Sequence, residues 1–297
     1  MDTSDSIAII ACGGRLALEC IEEARSRGRL GGVIALEGES IPEVVALADH
    51  VLKWGQIGRL ISALERSGAK KVLLIGSISR RPDFRTLVGD FETIRWLPRL
   101  LTTMAGGDDS VLRKVISFFE SGGYQVVSLA DVAPGLLAAP GLQAGRQPSG
   151  VEREDIEIGF AALNAMADFD IGQSLVIGQG RIAAIEAAEG TDAMLERVAF
   201  LREARRVPWK AGTGILIKAA KRQQDLRVDM PVIGPQTVDG CARAGLAGIA
   251  ISAGSVVIAS RSDCINRARD AGLFILSCDQ PDLGPDELSA AVSPEKP

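Results

Sequence analysis

Ser6-Ile-Ala-Ile-Ile-Ala-Cys-Gly13-Gly14-Arg-Leu16-Ala-Leu-Glu-Cys20-Ile21 decides the fold of the first half of this chain. The run up to Ala11 is short and apolar, as a strand buried on both faces must be. Leu16, Leu18, Cys20, Ile21 and Ala24 then follow a helical period. A strand, a glycine turn and a helix result. The turn at Gly13 and Gly14 could offer backbone N–H groups to a phosphate at the helix N-terminus. The G-x-G-x-x-G fingerprint is incomplete, so a plain tight turn explains it equally well.

Outward from that unit, Gly32–Leu36, His50–Lys53, Lys71–Gly76 and Tyr124–Ser128 read as strands and Ile57–Arg66 as a helix. Alternating strands and helices predict a parallel sheet covered on both faces, a Rossmann-like α/β domain. Ser77-Ile-Ser-Arg80-Arg81-Pro82-Asp83-Phe84 leaves the strand at 71–76 on the edge where open α/β sheets bind ligands. Arg80 and Arg81 are therefore candidate phosphate or membrane-surface contacts, or charges on a solvated loop. Gly107-Asp108-Asp109 leads into a helix that one of the aspartates would cap.

From Pro134 to Gly150 the composition turns to Gly, Pro and Ala, with one basic residue and no acidic one. It reads as a linker or a long crossing loop. Beyond it come a helix at Glu154–Ala167, a hairpin from Ser174–Ile177 through Gly178-Gln-Gly180 to Arg181–Glu186, and a helix entered at Gly190-Thr191-Asp192. Gly248–Ile251 and Ser255–Ala259 read as buried strands joined at Ala253-Gly254-Ser255, followed by a helix at Ser262–Asp270 and a strand at Leu273–Ser277. The expected division is a Rossmann-like α/β domain at 1–133, a linker at 134–150, a distinct catalytic α/β domain at 151–281 and a disordered tail at 282–297.

The 297 residues are 46% hydrophobic and 24% charged, enough chain for two cores. A net charge of -5 argues against a duplex nucleic-acid partner, whose affinity would come from neutralising phosphates. Cys12, Cys20, Cys241, Cys264 and Cys278 are odd in number and show no C-x-x-C step, which suits a reducing, cytoplasmic compartment. Met-Asp-Thr-Ser-Asp-Ser at the start has no basic region before an apolar core, so no signal peptide or lipidation is expected. The longest uncharged run, Ala244–Ser260, is broken by glycines and falls short of spanning length. His50 is the only histidine, which argues against zinc hydrolases and histidine-rich dinuclear metallophosphatases. A catalytic metal would be held by oxygens.

The chemistry concentrates in Lys218-Ala-Ala-Lys221-Arg222-Gln-Gln224-Asp225-Leu-Arg227-Val-Asp229-Met-Pro-Val-Ile-Gly234. Its cations can hold phosphate oxygens while a neighbouring carboxylate holds a metal or takes a proton from water, a pairing suited to hydrolysis of a phosphate anhydride. The same spacing allows a weak exposed ion pair between Arg227 and Asp229 on one face of a strand. Glu189 and Asp192 flank Gly190-Thr191. They are candidate oxygen ligands for a hard cation, or Thr191 or Asp192 simply caps the helix.

Gly178-Gln-Gly180, Ala184-Ile-Glu186-Ala-Ala-Glu189-Gly-Thr191-Asp192-Ala-Met-Leu195 and Gln224-Asp-Leu-Arg-Val-Asp229-Met-Pro-Val-Ile-Gly234 together resemble the LpxI-type UDP-2,3-diacylglucosamine pyrophosphatases. The likeness continues through Ala244-Gly-Leu-Ala-Gly248 and, more loosely, through Gly13-Gly14 and Gly107-Asp108-Asp109-Ser-Val-Leu-Arg113. The resemblance implies a Mg2+-dependent hydrolase of lipid A biosynthesis, with Mn2+ as a substitute. It would cut UDP-2,3-diacylglucosamine to 2,3-diacylglucosamine 1-phosphate (lipid X) and UMP, with water attacking the phosphorus nearer the sugar. It also implies two domains with the lipid site between them.

The family's essential aspartate in R-x-D-x-P maps onto Asp229, as base or as metal ligand, with Asp225, Asp192 and Glu189 as further candidate ligands. Lys218, Lys221, Gln224, Arg227, Thr191, Gly13, Gly14 and Arg80 become candidate substrate contacts. Arg222 departs from the family's proline, which bears on loop shape. The implied partners are a lipid-linked sugar nucleotide and the cytoplasmic face of the inner membrane, touched peripherally. No nucleic acid is expected, and a homodimer is compatible with the sequence. Two other readings stand beside this one. A nicotinamide-dependent oxidoreductase would use the first turn with Glu37 or Glu39 at the ribose, and a non-catalytic sugar-nucleotide or lipid-binding protein would use the same cations without turnover.

Overall fold

The computed structural model describes residues 5–78, 108–169, 171–221 and 224–279, with side chains from 112 onward in the second of these segments. Arg80, Arg81, Arg222, the capping side chains of Asp108 and Asp109, and the tail from Asp282 lie outside what is described. The chain divides into two compact units. One comprises Met1–Gly135 with Asp225–Asp229, and the other Leu136–Gln224 with Met230–Pro297.

The N-terminal unit alternates strand and helix, as its periodicity predicts. β1 (Ile7–Ala11), α1 (Leu16–Ser26), β2 (Leu30–Leu36), α2 (Pro42–Leu47), β3 (His50–Leu52) and α3 (Ile57–Ser67) come first. β4 (Lys71–Ile75), α4 (Asp108–Ser121), β5 (Gln125–Val127) and α5 (Leu129–Val132) follow among the described residues. The five strands lie in the order β3-β2-β1-β4-β5, and every pairing is parallel. All five residues of β1 are buried, because the central strand of a parallel sheet has covering layers on both faces. Ile10, Ile34, Leu64, Val72, Ile116 and Phe119 belong to one core on this sheet. α2 and α5 are helices that periodicity missed, both short; α2 opens with Pro42 and buries only Val44.

The order reverses between β1 and β4, which makes their carboxyl ends the switch point of the sheet. Gly13 and Ser77 meet there, Gly13 N–H donating to Ser77 O at 2.8 Å and Ser77 N–H to Gly13 O at 2.9 Å. A side chain at Gly76, where φ is +103°, would collide with the Gly13 carbonyl. This close backbone approach is the reason for glycine at Gly13 and Gly76.

The C-terminal unit is built around a mixed six-stranded sheet. Its elements are β6 (Gly141–Ala144), α6 (Gly150–Met166), β7 (Ser174–Gly178), β8 (Arg181–Ile185), α7 (Gly190–Glu203) and β9 (Ile215–Lys218). β10 (Val232–Ile233), α8 (Pro235–Arg243), β11 (Gly248–Ser252), β12 (Val257–Ile258), α9 (Arg261–Asp270) and β13 (Phe274–Cys278) follow. The order is β6-β13-β11-β9-β7-β8, with β9, β11 and β13 parallel and the other three strands antiparallel to their neighbours.

The stretch at 134–150, expected to be a linker, is largely part of this fold. β6 lies within it as an edge strand on β13, and α6 begins at its last residue, capped by Ser149 and Glu152. Its glycines serve the strand's ends. Gly145 has φ +74° and passes so close to the Leu273 carbonyl that no Cβ fits. β11 and β12, expected as two joined strands, belong to different sheets, since β12 pairs in parallel with β10.

The 178–180 hairpin forms as its turn residues require, with positive φ at both Gln179 and Gly180. Sequence alone did not reveal Asp155, only 3% exposed. Its carboxylate accepts both turn N–H groups, from Gln179 at 2.8 Å and Gly180 at 2.6 Å, and so ties the hairpin to α6.

Candidate functional site

In the C-terminal unit, polar side chains converge where the parallel strands end. Lys218 is the last residue of β9 and pairs with Ser174, the first of antiparallel β7. Glu186 follows β8 and donates its backbone N–H to Ser174 O at 2.9 Å. Thr191 stands in the first turn of α7. Four chain segments therefore deliver Ser174, Glu186, Thr191 and Lys218 to the carboxyl edge of β9, the edge where α/β sheets take ligands.

Their contacts are specific. Lys218 Nζ donates to Thr191 Oγ1 at 2.7 Å, and Thr191 Oγ1 donates to Glu186 Oε1 at 3.1 Å. Ser174 Oγ donates to the other carboxylate oxygen, Glu186 Oε2. Lys218 is only 6% exposed and Ser174 is fully buried. A cation taken that far from water needs a nearby anion and hydrogen-bond acceptors. Thr191 is thus no helix cap. α7 opens at Glu189 without a side-chain cap, and the Thr191 hydroxyl is used in this cluster instead.

The carboxylates expected to bind metal sit in different settings. Glu189 faces Arg197 at 2.6 Å and also accepts from Ala187 N–H at 3.2 Å. Asp192 is exposed in the first turn of α7. Lys221 and Gln224 shape the loop after β9, the Gln224 side-chain oxygen accepting Lys221 N–H at 3.0 Å.

Asp225–Asp229 packs with the N-terminal unit as a turn, where a strand was one expectation. Val228 and Asp229 N–H both reach the Asp225 carbonyl, at 3.2 and 3.1 Å. Arg227 therefore does not share a strand face with Asp229. Its guanidinium forks onto Asp225, with Nε at 2.9 Å and Nη2 at 2.6 Å, and its Nη1 reaches Glu120 at 2.8 Å. Hydrogen bonding to Arg227 holds the Asp225 carboxyl below the usual carboxylate range. The next residue, Val228, lines an apolar cavity of about 450 Å³ with Leu36, Leu52, Leu60, Leu74 and Phe118.

Gly13 and Gly14 stand at the switch point of the first sheet. The Gly13 N–H is spent on Ser77, so the turn offers fewer donors to a phosphate than its glycines suggested. Glu37, one candidate for a ribose-binding acid, lies 3.7 Å from the Lys53 ammonium.

Among the described residues, no three of His, Cys, Asp and Glu gather into a metal cage. Magnesium needs less, because it keeps several waters and takes phosphate oxygens, with one or two protein carboxylates completing its shell. Asp225 and Glu189 are both engaged by arginines and fit that donor set poorly. Burial pushes the Cys12 thiol up to about 11, with Glu39 adding to the effect, and Cys20 up to about 12, so neither is a nucleophile near neutral pH. Among the described residues no helix is long and apolar enough to cross a membrane.

Residues 6–136 match the family model of the LpxI N-terminal domain, and residues 139–276 match that of the LpxI C-terminal domain. The chain is also similar to UDP-2,3-diacylglucosamine pyrophosphatase LpxI of Caulobacter vibrioides. The two are 36% identical over 273 residues, an alignment covering 92% of this chain and 97% of that relative. With both family regions matched in order and one alignment running through them, the chain belongs to the LpxI family.

Proposed function

We propose that this protein hydrolyses the pyrophosphate bond of UDP-2,3-diacylglucosamine, giving 2,3-diacylglucosamine 1-phosphate and UMP in lipid A biosynthesis, and that it needs Mg2+ to do so. The observation that carries the reading is the near full-length similarity to a relative named for that substrate. The residues support it. Lys218, at the carboxyl end of a central strand, brings a buried positive charge to an anionic group. Asp229 supplies a carboxylate on a turn that Asp225 and Arg227 hold in shape. In this reading it takes the proton from the attacking water or helps hold the cation.

The substrate is an amphiphile, and the N-terminal unit has an apolar cavity whose lining includes Val228, the residue before Asp229. An acyl chain placed there would gain about 0.8 kcal/mol for each CH2 buried. Trp54 lines the same cavity, and its buried indole N–H has no acceptor among the described residues. An amide or ester oxygen of the acylated sugar is a suitable acceptor. Mg2+ bound with Asp229 would draw off phosphate charge and activate a water. Contact with the membrane is peripheral in this reading.

The test is release of UMP from UDP-2,3-diacylglucosamine by the pure protein, with EDTA and then with excess Mg2+. Turnover should vanish with the chelator and return with the metal. Full turnover without metal would overturn the Mg2+ requirement. Binding of the substrate without any UMP would overturn the hydrolase and favour a lipid-carrying protein.

A further inference from the structure

Glu186 follows β8, beside the end of β9. It touches neither Asp229 nor Arg227 among its described contacts, yet it collects the hydrogen bonds of Ser174 and Thr191 beside the buried Lys218. A threonine hydroxyl has one hydrogen to give and two lone pairs to receive with. Thr191 gives its hydrogen to Glu186 Oε1 at 3.1 Å, so the same oxygen is left as a pure acceptor toward Lys218 Nζ at 2.7 Å. Ser174 gives its hydrogen to Glu186 Oε2. Thr191 and Ser174 are 3.3 Å apart, and their hydrogens are both directed to the carboxylate.

We propose that Glu186 is the positioning residue for Lys218, fixing the direction of the Thr191 hydroxyl so that its oxygen receives and aims the ammonium at the substrate's diphosphate. This rests on the reading that Lys218 holds that diphosphate. Glu186 also adds a negative charge to the hydroxyl cluster that the 6% exposed ammonium joins. A glutamine in its place has the same length but only one acceptor oxygen. Its amide would donate to one hydroxyl, turning that hydrogen away, and the line from carboxylate to Thr191 to Lys218 would be broken.

The experiment is a double-mutant cycle in the full-length protein, read as kcat and KM for UMP release from UDP-2,3-diacylglucosamine. Glu186→Gln should lower kcat/KM about tenfold, the size of effect seen when a group supporting a ligand is lost. The loss should fall on KM, with kcat within about twofold, because Lys218 binds the diphosphate before and during reaction. In a Lys218→Met background the same change should cost nothing further, since the group being aimed is gone.

If Glu186→Gln costs as much in the Lys218→Met protein as in the wild type, Glu186 does not act through Lys218 and the proposal fails. The proposal alone also fails if Lys218→Met is impaired while Glu186→Gln matches wild type. If Lys218→Met itself keeps full kcat/KM, the reading of Lys218 as a phosphate contact fails first. Should Glu186→Gln not fold, as judged by its thermal transition, Glu186→Asp is used. It keeps the charge but is one methylene too short to reach both hydroxyls, so it must show a KM loss that disappears in the Lys218→Met background.

Discussion

Lys218 and Arg227 stand in one short stretch of sequence and would be read there as equivalent cations. The structure treats them in opposite ways. Lys218 ends a central strand of the C-terminal sheet, 6% exposed, and meets hydroxyls backed by a carboxylate. Arg227 lies in a turn packed with the N-terminal unit, its side chain 40% exposed, and forks onto Asp225 while reaching Glu120. Desolvating a cation is costly, so a buried lysine persists where the fold supplies compensation or a function requires it. An exposed arginine pair costs little and contributes little. Burial, not position in the motif, separates the two cations.

The largest effect should come from the turn that Arg227 shapes. Asp229→Ala is expected to lower turnover about 10²–10⁴-fold, measured as UMP release, with substrate affinity largely kept. If Asp229 is a metal ligand, excess Mg2+ should restore part of the rate; if it is a base alone, it should not. Asp225→Ala removes the fork from Arg227 but leaves that side chain its contact with Glu120. It should therefore lose no more than about tenfold, an upper bound set by the modest worth of exposed pairs. The reverse ranking of the two aspartates would show that the chemistry lies with Asp225.

The contrast between the cations is next in size. Lys218→Met should lower kcat/KM about 10–100-fold, the worth of one charge-assisted hydrogen bond, and Arg227→Met only a few-fold. Equal losses from both would mean that Arg227 also touches the substrate, as its place in the motif had suggested.

β1, its glycine turn and α1 were legible because periodicity is a local property. The hairpin at Gly178-Gln-Gly180 was legible because its turn needs residues that tolerate positive φ. β6 was not, because an edge strand bounded by Gly141 and Gly145 has the composition of a linker, and its pairing with β13 comes from far along the chain. The weight on Asp229 came from a motif, since spacing alone left it beside Arg227 as an ordinary ion pair. Glu186 was hidden for a different reason. Its meaning depends on the ends of β7, β8 and β9 and the start of α7 arriving at one place, and no local pattern encodes that.

The two units can also be compared through their closest backbone approaches. Gly76 in the first and Gly145 in the second both have positive φ, and each lies against a carbonyl where a Cβ cannot fit. Gly76→Ala and Gly145→Ala should each destabilise by upwards of about 1 kcal/mol. Two resolved thermal transitions would show the units unfolding separately, with each variant moving only its own. A single transition lowered by both would show that they unfold together.

The smallest effect compares two arginine–carboxylate forks. Asp225 with Arg227 closes a turn in the first unit, while Glu152 with Arg146 closes the start of α6 in the second, at 2.6 Å. Glu152 is the better shielded carboxylate, its side chain 14% exposed against 25% for Asp225, and it also accepts Ser149 N–H at 2.7 Å. Hydrogen bonding from Arg146, with Ser149 adding to it, takes its pKa from an ordinary value of 4.5 down to about 2. A carboxyl whose folded pKa is depressed binds its proton less readily folded than unfolded. Its contribution to stability is therefore present above pH 4.5 and is lost as the pH falls towards 2. Glu152→Gln should cost about 1 kcal/mol at neutral pH, the worth of a helix cap, as measured by denaturant titration. The gap between wild type and variant should close as the pH is lowered through that window. A gap unchanged down to pH 2 would show that the glutamine has lost packing at the start of α6, and that the ionised fork contributes nothing to holding it.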